Sequence, residues 1–382
     1  MPDNKRIALF LDGTWNNVSN NTNVWRLKSL CVQSLDQLVY YSAGVGTQQG
    51  EQLSGGMFGI GIDDEVTRAY EWLVENYEEG AELFIFGFSR GAFTARSLAG
   101  FISKCGLLKP GSPVSLKQMF ERYRKGTAIS ILELAKTTES ALSVEDKLIK
   151  NYSQSIAIWF QGVWDTVGSL GVPLPFFPKV NSKDFTFLET DLRINDTHAY
   201  HALAIDEHRE AFAPTLWVKS TPKQGDTYPP RKLDAVEQRW FVGAHANVGG
   251  GYEDDLLAEV PLCWLMSKAT GHGLEFKHSV VIDGNVNACA IHDSYAEMAH
   301  GVYKAVTFGK QHYRLIGAEP VDTGDAVITT INETIDGSVF DRWRNDETYR
   351  PKNLSEWAGR RSVDPSKLNQ SVRADDATAV VQ

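Results

Sequence analysis

Cysteine is scarce in this chain. Its four cysteines (Cys31, Cys105, Cys263 and Cys289) are scattered over 382 positions with no C-x-x-C pair. That spacing argues against a clustered thiolate metal site or a redox dithiol, and no disulfide framework is implied at this length. Long apolar runs are missing as well. No stretch approaches the roughly 18–20 apolar residues needed to span a bilayer, and the run Ile7–Leu11 behind MPDNKR is too brief for a signal-peptide core. The expectation is a protein made soluble in the cytoplasm, with export by a route that reads no cleavable signal left open. Positive charge is in deficit: Lys plus Arg is 38 against 48 Asp plus Glu, a net charge of −10. A chain with no overall basic excess is not expected to bind nucleic acid, which demands a basic face, nor anionic lipid by charge alone. Compositional bias and internal repeats are absent too. Apolar residues at 42% and charged residues at 23% exclude a disordered chain, a collagen or a coiled coil.

What is present reads as an α/β pattern. RIALFL at 6–11 is a buried strand running into the turn-rich Asp12-Gly13-Thr14-Trp15-Asn16. After a glycine-rich stretch at 44–61, Ile62, Val66, Ala69, Tyr70, Leu73, Val74 and Tyr77 recur at helical spacing up to Gly80. ELFIF at 82–86 is a strand covered on both faces, followed by a small-residue helix at 92–102. Residues 112–155 turn polar and helical and read as part of an inserted cap, about 106–155. IAIWFQGVW at 156–164 resumes a strand, a loop VPLPFFPK follows at 172–179, and a helix is expected at 197–211. QRWFVG at 238–243 is a further strand, and residues 365–382 are expected as a polar, frayed tail. The expected organisation is one α/β domain over 1–364 with a mostly parallel sheet and helices on both faces.

Gly87-Phe88-Ser89-Arg90-Gly91 fits G-x-S-x-G, and its flanks matter more than its letters. A strand precedes it and a helix follows, the setting in which a serine is thrust out on a strained elbow. The helix N-terminus behind the serine offers unpaired N–H groups to a developing oxyanion, with the N–H of Arg90 as first donor. Gly13 or Thr14, after the first strand, is placed to supply the second, although a plain turn closed by Asp12 fits the same letters. Serine needs a base, and the base an orienting carboxylate. Asp165 ends a strand in Gly162-Val163-Trp164-Asp165-Thr166 and would leave the sheet on the same edge as Ser89; Asp184, Asp191 and Asp206 are its rivals. Nine histidines compete for the base. His245 follows a strand and is flanked by glycines that let a loop reach over the serine. His201 and His208, seven apart in the expected helix, share one face and read as structural. An aspartyl phosphatase is rejected, because Phe10 stands where its nucleophilic aspartate would be. The glycines at 55, 56, 59 and 61 follow no strand and give no clean dinucleotide motif, so they read as an active-site loop.

Several motifs together resemble a known family. FLDGTWN at 10–16, NTNV at 21–24, YYSAGVGT at 40–47, AYEWL at 69–73, FGFSRGAFTARSLAG at 86–100, GVWDTVGSLG at 162–171, HALAIDEHREAF at 201–212, WFVGAHANVGGGY at 240–252 and YRPKNL at 349–354 are similar to the α/β-hydrolase-like family catalogued as domain of unknown function 2235. That family includes lipase effectors of bacterial type VI secretion systems. The resemblance implies an α/β-hydrolase fold and a Ser-Asp-His triad, carried here by Ser89, Asp165 and His245, with phospholipase activity in the secreted members. Asn247 departs from the aspartate found in many members, which questions a charge-dependent role there and leaves the triad untouched. The expected reaction is hydrolysis of carboxylic esters, with lipid acyl chains as substrate, transient contact with a membrane surface, and no metal or organic cofactor. Phe176 and Phe177 are expected to line the acyl site. A soluble esterase or thioesterase on small acyl groups and a non-catalytic binding module on a hydrolase scaffold are the alternatives. Oligomeric state is not legible.

Overall fold

The structure, a computed structural model, describes residues 4–13, 20–44, 57–125, 128–168, 192, 195–223, 229–253, 256–297 and 302–381. Eight strands build its central sheet: β1 (Arg6–Leu11), β2 (Gln37–Ser42), β3 (Glu82–Phe88), β4 (Ile158–Trp164), β5 (Asp196–Ala204), β6 (Val236–Phe241), β7 (Glu333–Ile335) and β8 (Val372–Arg373). Their spatial order is β8-β7-β6-β5-β4-β3-β1-β2, parallel throughout except for the antiparallel β7–β8 pair. Near-continuous apolar runs form such strands because both faces are covered. In β1 and β3, Ile7, Leu9, Leu11, Leu83 and Ile85 enter one core cluster, while Ala8, Phe10, Phe84 and Phe86 enter the other. The period-two alternation is therefore present, with both sides apolar.

Helices divide between the faces accordingly. On one side lie α1 (Asn23–Leu30) and, late in the chain, α8 (Glu259–Gly271), which contribute Val24, Leu27, Leu262 and Leu265. The other side carries α2 (Met57–Asn76) and α3 (Arg90–Cys105), whose residues 91–105 are all buried. A full helix can be buried this way because the sheet covers one side of it and further helices cover the rest. Those are α4 (Leu116–Arg124), α5 (Ile131–Lys136) and α6 (Val144–Tyr152), each started by a serine cap at Ser115, Ser130 and Ser143. Met119, Phe120, Leu134 and Ile149 join the α2/α3 core, so the inserted segment packs along the outer flank of α2 and α3. This parallel sheet, with its serine turn between β3 and α3, is an α/β-hydrolase fold.

Two expectations are corrected. Residues 196–204 form strand β5, not the first half of a helix: its Ala and Leu residues favour a helix locally, but β4 and β6 pair with it on both sides and decide the outcome. His201 and His208 therefore do not share a helix face. Nor is the terminal segment a frayed tail. β8 adds to the sheet edge, Ala374 N–H donates to Glu333 O, Val381 N–H returns to Ser371 O, and Val372, Ala374 and Ala377 enter a third core with Trp240, Ile335 and Trp357. Small apolar residues spaced among polar ones supply the buried side of this segment. Strand β2 had no distinct signal, being mostly half-buried at the opposite edge. Among the described residues no helix is long and apolar enough to cross a membrane.

Candidate active site

Sheet topology selects the location. The chain places β2 on one side of β1 and β3 on the other, then adds strands outward from β3. Such a reversal leaves a crevice at the carboxyl ends of β1 and β3, where open α/β sheets bind ligands. Ser89 stands in that crevice between Phe88, the last residue of β3, and Arg90, the first of α3. Its backbone (φ 59°, ψ −123°) lies where L-residues are rare, a strain of about 1–3 kcal/mol that the surrounding fold must hold. Ser89 N–H donates to Trp164 O at 3.0 Å, tying the turn to β4. Both motif glycines are sterically required: a Cβ on Gly87 would strike Gly91 O and Ala92, and one on Gly91 would strike the backbone of Leu11 and Asp12.

Asp165 follows β4 and also takes a left-handed φ of 39°. Its N–H donates to Ala202 O at 2.7 Å, and its Oδ1 accepts Ala204 N–H at 3.1 Å. His245 opens the short helix α7 (His245–Gly249) after β6, and its N–H donates to Glu207 Oε2 at 3.2 Å. The structure brings these three residues together. His245 Nε2 is 2.8 Å from Ser89 Oγ, and His245 Nδ1 is 2.6 Å from Asp165 Oδ2. The rings of Phe88 (4.7 Å) and Phe212 (5.0 Å) wall the imidazole. Burial pushes the His245 pKa below its ordinary value and outweighs the pull of Asp165. Burial raises that of Asp165, but the Arg314 guanidinium and the His245 hydrogen bond hold it well below the usual carboxylate range. The arrangement can take a proton from a serine hydroxyl and return it.

Other expected residues sort clearly. The Arg90 N–H begins α3 behind the serine. Gly13 N–H donates to Asp12 Oδ1 at 2.8 Å, and Asp12 Oδ2 accepts from Thr22 Oγ1 (2.6 Å) and Tyr41 OH (3.1 Å), so Asp12 shapes the β1 turn. Thr14, Phe176, Phe177, Asp184 and Asp191 lie outside the described residues. Asp206 accepts from Gly243 N–H (2.7 Å) and Tyr349 OH (3.2 Å) and serves the turn leading to His245. Asn247 Oδ1 accepts the N–H groups of Ala244 (3.1 Å) and His292 (3.3 Å), which a neutral amide does as well as a carboxylate. A cavity of about 1190 Å³ opens elsewhere, lined by Lys104, Asn195, Arg231 and Arg373 among others, and none of Ser89, Asp165 and His245 lines it.

Sequence reasoning missed the buried charges around the site. Glu207 pairs with Arg209 at 2.6 Å, accepts from Ser294 Oγ at 3.0 Å and supports the backbone of His245. Burial raises its pKa, but Arg209 outweighs this and holds it at about 2. Arg314 meets Asp165 in a fully buried ion pair. The only signal for Glu207 and Arg209 was their place inside HALAIDEHREAF. Arg314 had none.

Comparison with known proteins places the chain. Residues 5–268 match the family model described as "T6SS, Phospholipase effector Tle1-like, catalytic domain". The chain belongs to that Tle1-like family. Arg314 lies beyond the matched segment. An uncharacterised protein of Saccharomyces cerevisiae is 31% identical over 227 residues, 54% of this chain and 32% of that protein. The chain thus spans about a third of that relative's length. Among solved structures, an uncharacterised protein from Pseudomonas aeruginosa is similar at 18% identity and a TM-score of 0.46, covering 71% of this chain and 46% of that one. The Tle1 effector bound to the VgrG spike of the type VI secretion system is similar at 17% identity and a TM-score of 0.32, covering 65% and 51%.

Proposed function

We propose that this Tle1-like chain is a serine ester hydrolase of the phospholipase type, with Ser89 as nucleophile, His245 as general base and acid, and Asp165 as the carboxylate that orients the imidazole. One observation carries the reading: the unbroken series Ser89 Oγ, His245 Nε2, His245 Nδ1, Asp165 Oδ2, with both heavy-atom gaps in hydrogen-bond range. As Ser89 Oγ attacks the ester carbonyl carbon, its proton passes to His245 Nε2. Collapse of the tetrahedral species breaks the ester C–O bond, and His245 returns that proton to the leaving alcohol. Water, deprotonated by the same nitrogen, then releases the acid and restores Ser89. The N–H of Arg90 would hold the oxyanion with Thr14 as second donor, since the Gly13 N–H is taken by Asp12 Oδ1. Family membership supports a phospholipid substrate, which the protein would reach through transient contact with a membrane surface.

Incubation with mixed phospholipids and short-chain esters, with products profiled by mass, tests this reading. Release of fatty acid and lysophospholipid, abolished in Ser89→Ala, is expected. Cleavage of short esters alone would make the protein a soluble esterase. No product from either, with Ser89 inert to a fluorophosphonate probe, would leave a binding module.

A further inference from the structure

A triad carboxylate needs a fixed plane if it is to aim an imidazole, and a buried carboxylate needs compensation. Asp165 receives both from a residue 149 positions away. Arg314 Nη1 donates to Asp165 Oδ1 at 2.6 Å and Nη2 to Oδ2 at 3.0 Å, a bidentate pair with neither side chain exposed. Ala204 N–H takes a further position on Oδ1 and His245 Nδ1 a further one on Oδ2. The carboxylate is therefore clamped on both oxygens. Arg314 is anchored in its turn, donating to Ala204 O at 2.8 Å and to Phe212 O at 2.5 Å. Ala204 ends β5, and the Phe212 ring walls His245. One guanidinium thus ties together the acid, the strand end beside it and the wall of the base.

We propose that Arg314 is the positioning residue of this site, holding the Asp165 carboxylate in the plane His245 requires and cancelling its charge. The proposal rests on the hydrolase reading of Ser89, Asp165 and His245. It places part of the working machinery outside the family-matched segment 5–268, in the last third of the chain. Its consequence is electrostatic. A bare buried carboxylate favours the imidazolium strongly, whereas a neutralised Asp165–Arg314 pair leaves burial to dominate, so His245 stays an unprotonated base at lower pH. The other charges facing the two groups do not replace it. Glu207 and Arg209, beside His245, balance each other at 2.6 Å. Behind Asp165, His201 is held neutral by burial, with Arg96 opposing its protonation.

The test is an NMR titration of the His245 ring in the full chain carrying Ser89→Ala, alone and combined with Arg314→Met or Arg314→Lys. The parent should titrate below the ordinary 6.5. Arg314→Met should raise the midpoint by about one pH unit or more, and Arg314→Lys should hold it near the parent, because the charge remains. In chains with Ser89 intact, the acid limb of fluorophosphonate labelling should move in step, and Arg314→Lys should label more slowly at its plateau, having lost the bidentate clamp. An unmoved His245 midpoint in Arg314→Met, with only a lower melting temperature, would reduce Arg314 to a structural residue. If Arg314→Met does not fold, Arg314→Lys decides: slower labelling at the plateau with a parent-like melting temperature supports the proposal, and wild-type labelling overturns it. Failure of the intact chain to label would sink the hydrolase reading instead, and the titration would still report on Arg314.

Discussion

His201 Nε2 accepts the backbone N–H of Thr166 at 3.0 Å, one residue beyond Asp165. The imidazole can do so only while Nε2 carries no proton, and burial, seconded by Arg96, pushes its pKa down to about 3. This histidine is thus a fixed acceptor that shapes the turn holding the acid, and it has no place in proton transfer. His201→Ala would strand the Thr166 N–H in the interior at a cost of about 1–3 kcal/mol. A lower melting temperature is expected, with turnover reduced far less than in His245→Ala; equal losses of turnover with an unchanged melting temperature would reassign the base.

Linkage gives a pH dependence. His201 binds its proton near 6.5 when unfolded and only near 3 when folded, so the unfolded state holds more protons between those values. Its contribution to stability is fully present above about 6.5 and is lost as pH falls toward 3. Glu207, depressed from 4.5 to about 2, adds a second loss over that lower range. Burial pushes Glu65 up to about 8, which acts in the opposite sense, so the expectation is a difference: from pH 7 to pH 4 the urea midpoint of the wild type should fall relative to that of a His201→Gln variant.

Asp165→Asn should cut turnover by about ten-thousand-fold, the usual effect of a misoriented imidazole. Here it should also lower stability, because Arg314 is left as a buried unpaired charge, a defect of about 3–5 kcal/mol. His245→Ala leaves no such charge, so its melting temperature should stay well above that of Asp165→Asn while activity is lost in both. Matching melting temperatures would show that the ion pair carries little weight.

Gly91→Ala puts a methyl group into the backbone of Leu11 and Asp12, on which the elbow rests. Overpacking of this kind costs about 1–3 kcal/mol, and the displaced elbow should also move Ser89 out of reach of His245. Chemical denaturation together with probe labelling would detect both effects; wild-type labelling in the variant would mean the elbow tolerates the shift.

The proposed acyl-binding role of Phe176 and Phe177 separates by substrate. Replacing both with serine should cripple hydrolysis of dispersed phospholipid while p-nitrophenyl acetate is cleaved nearly as before. Parallel loss on both substrates, with a lower melting temperature, would assign the loop to the core and leave the lipid reading to family membership.

Legibility in the sequence followed the range of the interactions. β1, β3 and β4 announce themselves because burial on both faces writes a largely apolar run into six or seven residues, whereas β6 (VEQRWF) buries Glu237, Gln238 and Arg239 and shows only its apolar end. Ser89 and Asp165 could be picked out because each sits directly after such an apolar run, and His245 because a glycine-flanked loop follows β6. Segment 196–204 shows the reverse case, where pairing with β4 and β6 overrides residues of mixed propensity. Arg314 is the extreme, an arginine in polar surroundings whose meaning depends on a carboxylate 149 positions earlier. No window of sequence contains that relationship.

Strand β8 has a protective effect as well as a structural one. An open parallel edge displays unpaired N–H and C=O groups and is a template on which foreign chains can polymerise. By turning antiparallel over β7 and closing back on itself through the Val381–Ser371 bond, the last segment blankets that edge with the chain's own backbone. A protein truncated before residue 372 would bare β7 and the apolar side chains of Trp240, Ile335 and Trp357 behind it. Its first symptom would be self-association into aggregates, before any defect in the chemistry at Ser89 could be measured.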